Sequence, residues 1–247
     1  MIEFHGVWKT FGGETVLRGV DLTVREGETL VLLGPSGTGK SVLLKHAIGL
    51  LRPDRGRITV DGVSIGEAGP AQLKRVRKAV GYVFQHAALF DSMTVLENLA
   101  LAIQDEDDLL PPSRASDRAA ELLRRVNLDP AVLGHYPAEL SGGMRKRVGV
   151  ARAIASGPRY VLYDEPTTGL DPVNADIIDR LIVELADDLG VTSIVVTHDL
   201  ESAFQVADRV ALLTDGRLQA CGTPDEILQS EDPVVRRFMS RRFGTAA

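Results

Sequence analysis

The sequence predicts an α/β protein built on a mostly parallel sheet, with an antiparallel β region at the N-terminus and a helical region inserted into the core. Three observations lead there. Strand-length apolar runs, such as residues 29–33 and 160–163, alternate with helical stretches, the pattern of a sheet with helices on its faces. Ahead of them, residues 2–11 and 16–25 alternate loosely around the turn Gly12-Gly13-Glu14, a hairpin pattern. From about residue 94 to 156, strand signals vanish and helical ones take over.

Each element has its own local reason. Residues 29–33 follow the turn Glu26-Gly27-Glu28 as a buried strand and run into a glycine-rich loop. A helix follows over residues 40–48, with Gly49 placed to end it. Residues 57–60 and 63–65 form a hairpin around Asp61-Gly62, and residues 80–84 are the next strand. In the helical region, residues 115–126 carry the clearest amphipathic pattern, while residues 104–113 are acidic, contain Pro111-Pro112 and predict a surface loop. Alternation resumes with a strand at 160–163, a helix at 172–189, a strand at 193–196 and a helix at 200–207. A hairpin of residues 209–214 and 217–220 turns at Asp215-Gly216, and Thr223-Pro224 opens a further helix. The predicted organisation is one domain over 1–247: core and β region from 1–93 and 157–230, helical region 94–156, and a C-terminal helix or tail at 231–247.

Composition narrows the class. With 44% hydrophobic and 25% charged residues, the 247-residue chain has the balance of a globular protein with a real core. A net charge of −6 argues against a nucleic-acid binder working through broad electrostatics. One cysteine, Cys221, excludes an intramolecular disulfide and suggests a reducing compartment. Apolar runs fall far below the ~20 residues of a spanning helix, and residues 1–5 lack the order of a signal peptide. Service to a membrane would therefore run from its cytosolic side, through a partner.

Two elements carry chemistry. Gly34-Pro35-Ser36-Gly37-Thr38-Gly39-Lys40-Ser41 fits G-x-x-x-x-G-K-[ST] in full. Its glycines let backbone N–H groups curl around phosphate oxygens, and the following helix points its positive end at the same place. Lys40 would reach the β- and γ-phosphates, and the Ser41 hydroxyl would sit on Mg²⁺. The pattern arises by chance in on the order of one chain in a hundred of this length, and its position between a buried strand and a helix lowers that further. Asp164-Glu165 then ends the strand at 160–163. Asp164 would hold Mg²⁺ through water, and Glu165 could act as the base that orients and deprotonates an attacking water. Together these predict a P-loop NTPase core that binds ATP and Mg²⁺.

The next residues separate the families that share such a core. Leu140-Ser141-Gly142-Gly143-Met144 resembles the LSGGQ signature of ABC ATPases and lies upstream of the Asp-Glu strand, as in that family. Gln85 is similar to the Q-loop glutamine, Gly169-Leu170-Asp171-Pro172 to the D-loop, and His198 to the switch histidine; Phe11 sits where the family stacks an aromatic ring on adenine. The resemblance implies an ATP-hydrolysing subunit in which two copies sandwich two ATP molecules head to tail. Ser141, Gly142 and Gly143 would then serve a γ-phosphate bound by the other copy. Gln85 would contact magnesium or the attacking water, His198 would hold the γ-phosphate, and Asp171 would couple the two sites. Met144 departs from the usual glutamine, but the motif's phosphate contacts come mainly from serine and backbone, so activity should survive. With Glu165 in the only copy of the site, a homodimer would have two competent sites.

The type of transporter is written more faintly. Residues 85–95, Gln85-His86-Ala87-Ala88-Leu89-Phe90-Asp91-Ser92-Met93-Thr94-Val95, together with Met144, resemble ATPases of the Mla/MCE lipid-transport systems. This implies a membrane permease, an MCE-domain partner and a phospholipid or other hydrophobic cargo, with the chain peripheral on the cytoplasmic face of an inner membrane. If residues 85–95 only pack a subdomain joint, the alternative is an importer of a polar solute such as an amino acid. A soluble ABC ATPase acting on ribosomes or DNA would call for two such domains or long coiled coils; neither is present. A sensor without turnover is argued against by the full set Lys40, Asp164, Glu165 and His198. The basic, aromatic stretch from Arg236 to Phe243 is read as a solvated last helix, or one docking on the sister subunit, in preference to a contact with anionic lipid.

Overall fold

Strands β1 (Ile2–Phe11) and β2 (Glu14–Val24) form the first hairpin of the computed structural model, which describes residues 1–103 and 111–243. Gly12 and Gly13 both have positive φ, as a two-residue turn of matching twist requires. Strand β4 (Arg55–Val60) pairs with β1, and β5 (Val63–Ser64) folds back on β4, giving an antiparallel sheet in the order β2-β1-β4-β5. The second sheet is centred on β3 (Thr29–Leu33). Strands β8 (Thr192–Thr197), β7 (Tyr160–Asp164) and β6 (Val80–Val83) extend it on one side, all parallel. On the other side β9 (Arg209–Thr214) is parallel to β3, and β10 (Arg217–Gly222) closes the edge antiparallel, completing the order β10-β9-β3-β8-β7-β6.

Both faces of this second sheet are covered, which is why its strands are continuously apolar in sequence. Val31, Leu33, Tyr163 and Val195 face one cluster with the helices, whereas Leu30, Leu32, Leu162 and Val196 face another with the antiparallel sheet and helix α1 (Lys40–Ala47). The first cluster includes α3 (Val95–Ile103), α4 (Pro112–Arg125) and α5 (Gly142–Ile154), through Leu99, Leu122, Leu123, Val148 and Ala151. Helices α6 (Pro172–Leu189) and α7 (Leu200–Val206) cover the rest of that face.

Two expectations need correction, and one helix has no counterpart in the sequence reading. Pro112 and Ser113, read as the end of a surface loop, open α4, because a proline in the first helical turn loses no hydrogen bond; the rest of that loop, residues 104–110, lies outside the described residues. A helix at Pro70–Lys78, α2, is short and mostly polar, with Val76 buried and Leu73 packed against the core on one face. After the short helix α8 (Pro224–Leu228), the last helix, α9 (Pro233–Phe243), is not fully solvated. It docks on its own core through buried Val235 and Met239, with Phe238 packed beside them.

Candidate active site

The glycine-rich loop leaves β3 and enters α1 under tight backbone constraint. A Cβ on Gly34 would lie 2.1 Å from the Leu213 carbonyl oxygen of β9, and Gly39 caps α1 with φ 98°, a left-handed conformation suited to glycine. These two positions explain why the loop hugs the sheet edge and aims the start of α1 at the space above it. Lys40, 4% exposed, folds back so that Nζ donates to the carbonyls of Gly34 (2.8 Å) and Pro35 (2.9 Å) and lies 3.6 Å from Glu165 Oε1. Burial holds its ammonium below the usual lysine range, and Glu165, then Asp164, pull it back up.

The parallel strand β7 delivers Asp164 beside that loop. Ser41 Oγ donates to Asp164 Oδ1 at 2.6 Å, and the Tyr82 hydroxyl donates to Asp164 Oδ2 at 3.0 Å. Burial first, and Asp164 second, push the Tyr82 phenol far above its ordinary range, so it stays a donor. A hydroxyl and a carboxylate in contact, all oxygen, are the donor set a hard cation such as Mg²⁺ takes when phosphates and waters complete its shell. The residues present therefore fit that ion.

Glu165 leaves the strand with φ 52°, its N–H donating to Val196 O on β8. A left-handed glutamate is a strained conformation of the kind that gathers at functional sites. Its carboxylate is fixed from several sides: Oε2 pairs with His198 Nδ1 at 2.7 Å and accepts from Thr168 Oγ1 at 3.0 Å, and Oε1 faces Lys40. Lys40, Ser41, Gln85, Glu165, Thr168 and His198 line one cavity of 480 Å³, together with Ser36, Gly37 and Gly39. Ser36 and Gly37 also border a second cavity of 780 Å³ with Pro35 and Thr38, across which Arg18 and Arg237 appear.

Other predicted residues lie apart from the 480 Å³ cavity. Phe11 is 42% exposed at the end of β1, with the Lys9 ammonium 5.3 Å from its ring centroid. Ser141 and Gly142 are exposed at the start of α5, where Ser141 Oγ accepts from the Met144 N–H, while Gly143 is buried. Asp171 caps α6 by accepting from Val173 and Asn174 N–H groups, and Asn174 Nδ2, its largest influence, helps hold its carboxyl below the usual range. Four residues that sequence reasoning did not single out belong to this network. Thr168 carried a weak signal, lying three residues after Glu165. Tyr82, on Asp164, and Lys146, on the Gln85 carbonyl, are brought in by tertiary contact and have no local signature, whereas Asn174 meets Asp171 from three residues along the same helix start.

The fold and this cavity define a phosphate-loop nucleotide hydrolase. The profile of the ABC transporter family matches residues 17–168. The chain is 42% identical over 244 residues to the probable ribonucleotide transport ATP-binding protein mkl of Mycobacterium tuberculosis, covering 98% of this chain and 67% of that relative. It is 40% identical over 247 residues to the methionine import ATP-binding protein MetN of Caulobacter vibrioides, covering 99% and 74%. Among solved structures, the dimeric post-hydrolysis state of the ATP-binding cassette MJ0796 bound to ADP and Pi superposes with a TM-score of 0.83 at 33% identity, covering 90% of this chain and 98% of that one. The chain belongs to the ABC transporter family: it is an ATP-binding, ATP-hydrolysing subunit whose turnover is coupled to transport. Among the described residues, no helix is long and apolar enough to cross a membrane.

Proposed function

We propose that two copies of this chain close on two Mg²⁺-ATP molecules and, by hydrolysing them, drive a membrane permease that moves phospholipid or another hydrophobic cargo in a system with an MCE-domain component. The observation that carries the catalytic part is the lining of a single cavity by Lys40, Ser41, Gln85, Glu165 and His198. Lys40 exchanges its two loop carbonyls for β- and γ-phosphate oxygens, while the loop N–H groups and the start of α1 cradle the same phosphates. Ser41, Asp164 and Gln85 would hold Mg²⁺, which when bound would neutralise negative charge on the phosphates. Glu165 accepts a proton from water as that water attacks the γ-phosphorus, and ADP leaves; His198 keeps Oε2 oriented and reaches the γ-phosphate. Phe11 stacks on adenine. Ser141, Gly142 and Gly143 of the second copy complete the γ-phosphate contacts through a helix N-terminus, and Asp171 links the two sites.

The cargo reading leans on residues 85–95 and Met144. Within that segment Leu89 packs against the core while Phe90 is 53% exposed. The loop is pinned by fully buried Asn98, whose side chain accepts from Phe90 N–H and donates to the carbonyls of Phe90, Met93 and Thr94. A rigid loop holding out an aromatic side chain suits a protein partner better than a flexible joint does. A second reading, import of a polar solute, is favoured by the names of relatives, which include ribonucleotide, methionine and glycine betaine transport. The test is a mild-detergent pull-down of the tagged Glu165→Gln chain from native membranes with ATP present, followed by mass spectrometry. A permease with an MCE-domain protein and phospholipid is expected. A permease with a soluble solute-binding protein would overturn the lipid reading and keep the ATPase one.

A further inference from the structure

Helix α5 does more than present Ser141 at its start. Three of its residues, at spacing three, meet the loop that follows β6. Lys146 Nζ donates to the carbonyl of Gln85 at 2.5 Å, a Cβ on Gly149 would lie 3.1 Å from the Ala87 Cβ, and Arg152 donates to the carbonyls of Ala88 (2.7 Å) and Ala87 (3.1 Å). Residues three apart share one helix face, so the helix grips residues 85–88 along a single edge. The gripped segment is conformationally particular: Ala87 and Ala88 have φ 58° and 50°.

Lys146 adds a second hold. The same Nζ lies 3.3 Å from the Glu165 carbonyl oxygen. That carbonyl belongs to the peptide that follows the left-handed Glu165, so a donor fixed on it helps set the direction in which the carboxylate leaves the backbone. Lys146 is 8% exposed, and burial pulls its ammonium below the usual lysine range while Glu165 pushes it back up. Burying an ammonium is costly; a helix that needed only packing here is served as well by an apolar side chain of equal length.

We propose that Lys146 is a positioning residue that ties the placement of the signature helix to the placement of Gln85 and Glu165. It rests on the roles read above for those two residues. When a second copy and its nucleotide draw on Ser141 at the tip of α5, Lys146 carries that displacement to the Gln85 carbonyl and the Glu165 peptide. The base and the glutamine then reach their working positions only when the composite site is closed. Lys146 itself does not line the 480 Å³ cavity.

The test compares Lys146→Met, which keeps the stem and removes the donors, with Lys146→Arg, which keeps a charged donor. The full chain is assayed for steady-state kcat and KM, for equilibrium binding of a fluorescent ATP analogue, and for thermal melting. Small misplacements of catalytic groups reduce rates by about a hundredfold, so Lys146→Met is expected to lower kcat by about ten- to a hundredfold. Analogue binding should stay within about threefold, and Lys146→Arg should recover most of the rate. Adding Gln85→Ala should cost less than the product of the two separate losses, because the two residues act in one linkage. Wild-type kcat in a folded Lys146→Met chain would overturn the proposal, as would equal losses of rate and analogue binding. If Lys146→Met does not fold, Lys146→Gln replaces it under the same criteria. Wild-type turnover in Gln85→Ala alone would refute the role read for Gln85, while kcat of Lys146→Met would still decide the proposal through Glu165.

Discussion

Replacing Asn98 by alanine should unpin the loop that carries Phe90 while sparing chemistry. Asn98 is fully buried and its side chain makes four contacts with loop backbone: Phe90 N–H at 2.8 Å, and the carbonyls of Phe90, Met93 and Thr94 at 3.0–3.1 Å. Leaving a buried N–H without an acceptor costs about 1–3 kcal/mol. The two amide hydrogens are shared among the three carbonyls, and part of their loss is regained from water, so a total of about 2–4 kcal/mol is reasonable. For a chain of this size each kcal/mol moves Tm by about 2–4 °C, so the melting temperature should fall by about 4–16 °C. Asn98 does not line the 480 Å³ cavity, so basal ATPase at 20 °C should remain within about threefold. Co-purification with the membrane permease should drop at least fivefold, because Phe90 is no longer presented at a fixed angle. Differential scanning fluorimetry, phosphate release and a quantitative pull-down read the three quantities. A Tm within 2 °C of wild type, or undiminished permease recovery from a destabilised chain, would refute the reasoning.

Two further outcomes follow from the same contacts. Tyr82→Phe removes one of the two hydroxyls on Asp164; the Mg²⁺ concentration for half-maximal ATPase should rise about three- to tenfold, with kcat at saturating Mg²⁺ changed less than threefold. Asp179, 3% exposed on α6 and bonded to Ser202 Oγ, has its pKa raised to about 6, chiefly by burial, with Asp199, Asp176 and Glu201 adding to the rise. The folded chain thus holds this proton more tightly than the unfolded one, so ionisation costs stability: the cost is absent below the unfolded value near 3.8, grows as pH rises, and is complete above about 6. Asp179→Asn should stabilise the chain by about 1–3 kcal/mol at pH 7.5 and have little effect at pH 4; urea unfolding at the two pH values measures it, and destabilisation at pH 7.5 would contradict the assignment.

What could be read from the sequence was what short segments decide alone. The phosphate-loop motif is local: Gly34, Gly39 and Lys40 fall within eight consecutive residues. Helix α6 matched the expected 172–189 at both ends because each end carries its own signal, the Asp171 cap with Pro172 at the start and Gly190 at φ 61° after the finish. The hairpin turns at Asp61-Gly62 and Asp215-Gly216 were equally plain, since all four residues have the positive φ such turns demand. Helix α2 was missed because it is short and mostly polar, with only Leu73 and Val76 to mark its buried face. The docking of α9 was missed because basic residues surround Val235 and Met239 and mask the buried face. Pairing of β1 with β4, and the arrival of Tyr82 on Asp164 and Lys146 on Gln85, join residues 47 to 82 positions apart in sequence, and no local pattern encodes such meetings.

The central claim is an ATP-driven closure of two chains in which Glu165 is the base. It is tested most directly by Glu165→Gln, read by light scattering after size exclusion with Mg²⁺-ATP and by phosphate release under the same conditions. The wild-type chain has a mass of 26.7 kDa. The account predicts that the variant elutes at about twice that mass with ATP, at the single-chain mass without it, and releases phosphate at less than about 1% of the wild-type rate. Phosphate release near the wild-type rate would remove Glu165 as the base, and a single-chain mass at saturating ATP would contradict the closed pair.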